Sequence, residues 1–183
     1  MKYTIRIIVL TFILVSFQMC AVKSNGQWKS QKNNLQLNFT NKWELIHPIL
    51  DTDKKTLVGV KDNNDNSSFI IKITEDVSKE LLSDDNYLDI VQEQMLSTNS
   101  ENKLLIRDKI VFNKTEFNRM IFFMKTKFGK VIHTVYTHRN GDKIIGIQFS
   151  YPEALNENPI ENTPAKIDTL LKGVKFNTTG LTS

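Results

Sequence analysis

The chain has 183 residues, a length that suits one domain, and it carries 24 Lys and Arg against 20 Asp and Glu, a formal net charge of +4. Lys2, Arg6 and Lys23 lie in the first 26 positions, so residues 27–183 keep 21 basic and 20 acidic residues and a net charge of +1. This near-neutral balance excludes a general electrostatic attraction to nucleic acid.

The N-terminal segment, residues 1–26, has the pattern of a signal peptide. Lys2 and Arg6 give it a basic start, and the apolar run over residues 5–17 is too short for a comfortable membrane span. The sequence therefore predicts an exported protein, periplasmic or extracellular, whose mature chain has no transmembrane helix.

Two positions are candidates for signal cleavage. Small residues at Ser24 and Gly26 favour a cut before Gln27, and a cut after Ala21 is the alternative. Cys20 is the single cysteine, and the residues before it are larger than those that precede a lipidated cysteine. Removal of this cysteine with the signal peptide is favoured over a lipid anchor, which leaves the mature protein without a thiol or a disulfide.

The mature chain, residues 27–183, is predicted to form one domain with a loose polar lead-in at 27–34 and a frayed tail at 177–183. Apolar residues alternate with polar ones over 35–39, which predicts a first strand. Trp43 follows a turn, and its large ring is expected to anchor the core.

The next predicted element is a hairpin, with strands at Leu57–Val60 and Phe69–Ile73 around the polar loop Asp62–Asn66. The loop has acidic and amide residues at the alternate spacing of a calcium-binding loop. However, Ser67 stands where such a loop needs Gly, and Ile73 stands where it needs a bidentate Glu. We therefore expect a solvated hairpin tip and no metal site.

Two helices are predicted from capping signals and apolar periodicity. The first begins after Ser83 and ends near Thr98, and the second begins at Thr163-Pro164 and ends at Gly173. Each has one apolar stripe with which it is expected to pack on a sheet. The stripes are Tyr87, Leu88, Val91 and Met95 in the first helix, and Ile167, Leu170 and Leu171 in the second.

The central stretch, Thr115 to Tyr151, predicts a meander of three antiparallel strands. Asn140-Gly141 is typical of a type I′ turn, which places Tyr136 opposite Ile145. A turn at Phe128-Gly129 sets the preceding pairing in the same way. A further strand over residues 104–112 is expected to lead into this meander.

Both faces of the meander are apolar at their centre, so we expect layers on each side of the sheet. One face collects Phe117, Ile121, Phe123, Ile132, Tyr136, Ile145, Ile147, Phe149 and Tyr151. The other collects Met120, Phe122, Met124, Val135 and Ile144, with His133, Gln148 and Ser150 toward one end.

This order of elements resembles the PsbP/Mog1-like superfamily. The likeness spans roughly residues 34–176 and is carried by Trp43 after an early strand, by Gly141-Asp142-Lys143 leading into Ile147–Pro152, and by the closing segment 167–176. The proline usually found just before the tryptophan is missing. The resemblance implies an α+β fold, an α/β/α sandwich on a central antiparallel sheet, in a secreted bacterial member of the superfamily.

The resemblance also implies binding or assembly rather than catalysis, because the superfamily shares no catalytic residues that could be carried over. The residues agree with this expectation of binding rather than catalysis. The sequence contains no Gly-x-Ser-x-Gly elbow, no Gly-rich phosphate loop and no histidine spacing typical of a zinc-binding helix. We expect a non-enzymatic accessory protein without a cofactor that docks on a protein partner in the cell envelope. The alternatives are a carrier of a small apolar ligand held between sheet and helix, and an unrecognised hydrolase.

Five residues are the candidate binding residues. In the predicted register His133 lies between Met124 and Gln148, where it is either a ligand contact or, as favoured, a partly buried histidine hydrogen-bonded to Gln148. Arg119, His138 and Lys143 are predicted to stand side by side on three neighbouring strands. One alternative is that these three residues are solvated ends of strands. The other is that they form a site that binds an acidic patch on a protein partner or an anionic group.

Overall fold

The computed structural model describes residues 26–30, 35–40, 42–46, 56–75, 77, 82–112, 114–127 and 129–176. Apart from Gly26, the predicted signal peptide lies outside the described residues, and so does the predicted tail at 177–183. The described residues form ten strands, two helices and one short 3₁₀ turn.

The strands and helices follow one another along the chain in the order that the sequence predicts, with additional short strands near each end. The strands are β1 Gln27–Ser30, β2 Leu35–Asn38, β3 Glu44–Leu45, β4 Thr56–Asp62, β5 Ser67–Thr74, β6 Lys103–Phe112, β7 Thr115–Thr126, β8 Gly129–Asn140, β9 Lys143–Pro152 and β10 Val174–Phe176. The helices are α1 Asp84–Ser97 and α2 Ala165–Gly173, and the 3₁₀ turn is Glu153–Leu155.

The strands pair into two antiparallel sheets. The large sheet has the order β3-β4-β5-β9-β8-β7-β6, and the small one has the order β1-β2-β10. One face of the large sheet packs on α1 through Leu88 and Val91, whereas the other packs on the small sheet and on α2. The predicted sandwich is therefore confirmed, and one of its outer layers contains a small sheet as well as a helix.

The central meander divides its residues between these layers as predicted. The main core contains Phe117, Ile121, Ile132, Tyr136, Ile145, Ile147, Phe149 and Tyr151, with Phe123 partly buried against it. The second core contains Met120, Phe122 and Val135, with Met124 beside them. Trp43 is 5% exposed in the main core and is the anchor that the sequence predicts.

The register of the meander differs from the prediction by two residues at both turns. Tyr136 pairs with Ile147 rather than Ile145, because the loop residues of the β8–β9 hairpin are Gly141 and Asp142 rather than Asn140 and Gly141. Of these two loop residues, only Gly141 has a positive φ, +58°, which is the pattern of a type II′ turn rather than type I′. A shift of two leaves every side chain on its predicted face, because the side chains of a strand alternate with a period of two.

Two other predictions need correction at the ends of the domain. Residues 27–30 are not a loose lead-in, because they form β1, which pairs with β2 and half-buries Trp28. The second helix does not use Thr163 as its cap, because Pro164 occupies the cap position and makes no capping hydrogen bond with its side chain.

The start of α1 is fixed to the β8–β9 hairpin by Arg139. Alternation along β8 sends this side chain to the α1 face, where it is only 10% exposed. Its guanidinium pairs with Asp84 and donates to the backbone oxygens of Val77 and Leu82. Five donors in a planar fork suit such a site, and the contacts set where α1 enters the fold. Ser83 accepts the amide hydrogen of Asn86 at 3.2 Å and is the predicted cap.

The Gly141→Val variant should unfold at a lower urea concentration than the wild type. A β-branched residue resists the positive φ of this turn, and the expected loss is about 1–2 kcal/mol. Open space surrounds the position, so the loss measures backbone strain alone. Asp142→Val, at the neighbouring loop position with a negative φ, is the matched control. Equal urea midpoints for Gly141→Val and Asp142→Val would contradict the positive φ assigned to Gly141 in this turn.

Candidate binding surface

The predicted basic cluster is not assembled, because the two-residue shift separates its members. Arg119 lies opposite Tyr136 on one side and Asp108 on the other. His138 lies opposite Ile145, and Lys143 lies opposite Asn140. The three residues share a face of the sheet but do not stand side by side.

Each member of the predicted cluster also has a partner within the chain. The Arg119 guanidinium donates to both carboxylate oxygens of Asp108, at 2.8 and 2.6 Å, and this pairing raises the pKa of Arg119. Lys143 lies 3.2 Å from Glu75, and His138 Nδ1 lies 2.9 Å from the backbone oxygen of Glu116. Docking of an acidic partner on these residues stays a prediction, and it would compete with pairs that already exist.

His133 is placed by the same shift between Phe122 and Ser150 rather than between Met124 and Gln148. Its Nδ1 lies 2.7 Å from the Ser150 hydroxyl oxygen, so Ser150 replaces Gln148 as the hydrogen-bond partner. Gln148 instead faces Val135 and Ile70 on the neighbouring strands. The predicted partner, Gln148, is therefore wrong, and His133 is a partly buried histidine whose hydrogen-bond partner is Ser150.

The other ring nitrogen of His133 is buried and has no hydrogen-bond partner. Burial, and secondarily the positive charge of Lys72, lowers the pKa of His133 to about 4, so the ring is neutral at pH 7. The His133 residue as a whole is partly buried, and its Nε2 atom is the part that is shielded from solvent without a partner. The role of His133 and Gln148 in binding remains a prediction.

The loop over residues 62–66 is tied into the fold rather than only solvated. Asp62 is 5% exposed, and the Lys166 ammonium lies 3.3 Å from it and also contacts Asp65. The same ammonium lies 5.6 Å from the centre of the Trp43 ring. Burial alone would raise the pKa of Asp65, but hydrogen bonds from Lys166 and Ser67 outweigh it and hold this pKa below its ordinary value. The positive charge beside these carboxylates is therefore a lysine of the chain itself.

A groove of about 700 Å³ lies between the β6 edge of the large sheet and the segment that follows β9. We call it the β6 groove. Its lining residues are Lys103, Leu105, Phe123, Lys130, Ile132, Glu153, Ala154, Asn156, Glu157 and Pro159. The groove is not among the sites that the sequence predicts; the signal that could indicate it is the pair of apolar residues Leu155 and Ile160 in an otherwise polar loop.

The floor of the β6 groove is apolar. Leu105 is the extra residue of a bulge, since Leu104 and Ile106 pair with consecutive residues of β7. Such a bulge changes the direction of a side chain at a sheet edge. Leu105 and Phe123 are half-buried beside the main core, and the Lys130 ammonium lies 5.7 Å from the centre of the Phe123 ring.

The outer wall of the groove is held to the sheet at two points. Arg119, fixed by Asp108, donates to the backbone oxygen of Ile160 at 3.2 Å. Asn156 donates to the backbone oxygen of Asn162 at 2.7 Å and lies 3.4 Å from the Tyr151 hydroxyl. The groove is therefore preformed, and Arg119 belongs to its support rather than to a basic patch.

The two walls of the groove carry opposite charges. Lys103 and Lys130 stand on the strand side, and Glu153 and Glu157 stand on the loop side. In the part of the chain that the structure describes, none of these four side chains forms an ion pair. The groove thus combines an apolar floor with unpaired charges of both signs.

Across the described ranges, no three His, Cys, Asp or Glu side chains converge in a way that could hold a metal ion. The helices in the described part of the chain are too short or too polar to span a bilayer.

Comparison with solved structures shows a PsbP/Mog1-like fold, as predicted. The cyanobacterial PsbP protein of Synechocystis sp. PCC 6803 superposes with a TM-score of 0.57 and 12% identity over 85% of this chain and 95% of that chain. The Ran-binding protein Mog1p of Saccharomyces cerevisiae superposes with a TM-score of 0.54 and 13% identity, over 88% of this chain and 100% of that chain. A Bacteroides thetaiotaomicron protein superposes with a TM-score of 0.50 and 8% identity, over 85% of this chain and 49% of that chain.

No protein-family model matches the sequence, and no curated protein sequence matches it. At 8–13% identity the structural likeness shows the fold alone. The function therefore has to be argued from the surface of this chain.

His133 should make stability depend on pH between 6.5, its ordinary pKa, and about 4, its pKa in the folded chain. Its pKa is lower in the folded chain than in the unfolded chain, so acid protonates the unfolded chain first and stability falls as pH falls below 6.5. The expected loss between pH 7 and pH 5 is about 2 kcal/mol by urea unfolding. His133→Gln keeps a hydrogen-bonding side chain but does not titrate, so it should lose less. If the unfolding free energies of the wild type and of His133→Gln changed equally with pH, a neutral His133 ring in the folded chain would be contradicted.

Lys166→Met should destabilise the fold by about 1.5–3 kcal/mol, because two partly buried carboxylates lose a charged hydrogen-bond donor. The matched control is Lys172→Met on the same helix, which removes an exposed pair with Asp168. Such exposed pairs contribute about 0–1 kcal/mol. Equal urea midpoints for the two variants would show that the Asp62–Asp65 loop is not held by Lys166.

Proposed function

We propose that the protein is an exported, non-catalytic binding protein that docks a protein partner in the β6 groove. The observation that carries the proposal is the pair of oppositely charged, unpaired walls above an apolar floor. A groove with both signs of charge and half-buried aromatic and aliphatic residues suits recognition of another chain.

The partner that fits this groove is an extended segment with an apolar side chain between two charges of opposite sign. The apolar side chain would pack on Leu105 and Phe123, with an acidic group toward Lys103 and Lys130. A basic group would face Glu153 and Glu157 on the opposite wall. Within the described residues β6 is the last strand of its sheet, so the backbone groups on its outer edge face away from the fold. An extended segment can pair with such an edge, which adds affinity without sequence specificity.

Docking is favoured over the carrier alternative by the place and the polarity of the groove. A carrier of an apolar molecule was expected to hold it between sheet and helix, whereas this groove lies between the sheet and a loop and has charged walls. One structural neighbour, Mog1p, is described as a Ran-binding protein, so the same fold serves protein binding in that case. Export is proposed from the basic and apolar N-terminal segment.

The test is capture of partners from an envelope extract with three forms of the mature protein. The groove variant is Lys103→Glu with Lys130→Glu. The matched control, Lys29→Glu with Lys175→Glu, makes the same change in net charge at two exposed residues of the small sheet. Quantitative mass spectrometry should find a partner that the wild type and the control retain and that the groove variant loses.

The purified partner should then bind the groove variant roughly tenfold more weakly than the control, equivalent to about 1.4 kcal/mol. Binding by the wild type should also weaken with added salt, because the four groove charges are partly exposed. All three forms should melt at similar temperatures. Equal affinities for the groove variant and the control would overturn docking in this groove. A small apolar molecule that copurifies and leaves with groove mutations would favour the carrier instead.

A further inference from the structure

Gly26 is part of the folded domain, although the sequence pattern assigns it to the signal peptide. Its backbone oxygen accepts the amide hydrogen of Phe39 at 2.8 Å, which extends the pairing of β1 and β2 by one step. Phe39 is 6% exposed and belongs to the main core. The hydrogen bond therefore closes the ladder at a buried residue.

The structure also explains why residue 26 is a glycine. Its φ is +71°, a conformation that residues with a side chain rarely adopt. A Cβ atom placed on it would lie 2.5 Å from the backbone oxygen of Phe39, closer than such atoms approach one another. The packing of β1 on β2 requires a glycine here for reasons unrelated to signal cleavage.

A cut between Gly26 and Gln27 would remove this contact. The new α-amino group of Gln27 only donates hydrogen bonds, so it could not replace the lost oxygen acceptor. The amide of Phe39, a residue that is 6% exposed, would lose its backbone acceptor, which is an unfavourable change for a mature protein.

We infer that signal cleavage takes place N-terminal to Gly26, between Ala21 and Val22, and that the mature chain includes Gly26. This inference rests on the proposed export. Gly26 has the small size that signal cleavage before Gln27 needs, but the fold alone explains why this residue is a glycine. Ala21 is the remaining candidate position, with a small residue directly before the cut. The mature chain would then have a short lead of residues 22–25 before β1.

The first test is the intact mass and N-terminal sequence of the exported protein. A start at Val22 is the expected result. Any other start from residue 20 to residue 26 overturns the assignment of the cut to Ala21–Val22 but supports retention of Gly26. A start at Gln27 overturns the inference and leaves the proposed export intact. A start at Met1 overturns both.

The second test uses Gly26→Ala in the exported protein. Alanine is acceptable to a signal peptidase at this position, so a cut after residue 26 would still occur and would release a mature chain identical to the wild type. If residue 26 is retained, the variant should melt at least about 2 °C lower because of the strained φ and the contact with Phe39. Ser24→Ala is the control and should melt like the wild type. Equal melting temperatures for Gly26→Ala and the wild type would overturn the inference.

Discussion

The constraint on which the structure depends is the two-sided apolar centre of the β7–β8–β9 meander. A sheet with one solvent-exposed face needs only one covering layer. This sheet buries Phe149 and Tyr136 on one face and Phe122 and Met120 on the other. Both faces must therefore be covered, by α1 on one side and by α2 with the small sheet on the other. Arg139 and Lys166 then fix the positions of α1 and α2 against the sheet.

The groove follows from the same arrangement. The segment after β9 lies beside β6, β7 and β8 on the main-core face of the large sheet, and the β6 groove is the space between this segment and the strands. Arg119, which is paired with Asp108, attaches that segment to the sheet, and the groove between them stays open. Leu105 and Phe123 are left half-buried, at the border between the main core and solvent. The fold thus presents a preformed recessed surface.

The sequence was sufficient for the faces and the layers but not for the contacts. Alternation assigned every central residue to its correct face, because a register error of two residues preserves the alternation. The same error misplaced each cross-strand neighbour, so the expected Arg119–His138–Lys143 cluster and the His133–Gln148 pair do not exist. Types I′ and II′ differ in the sign of φ at the second central residue, and an Asn-Gly-Asp stretch permits either type. The β6 groove depends on where a long loop is attached, which local sequence patterns do not encode.

Hydrogen–deuterium exchange on the complex with the captured partner is the most direct measurement of the central claim. If the partner docks in the β6 groove, amides of β6 and of residues 153–160 should exchange more slowly in the complex, while amides of the small sheet should be unchanged. Protection confined to α1, to the small sheet or to the β8–β9 turn would contradict the account. In that case the charged walls of the groove would be ordinary surface.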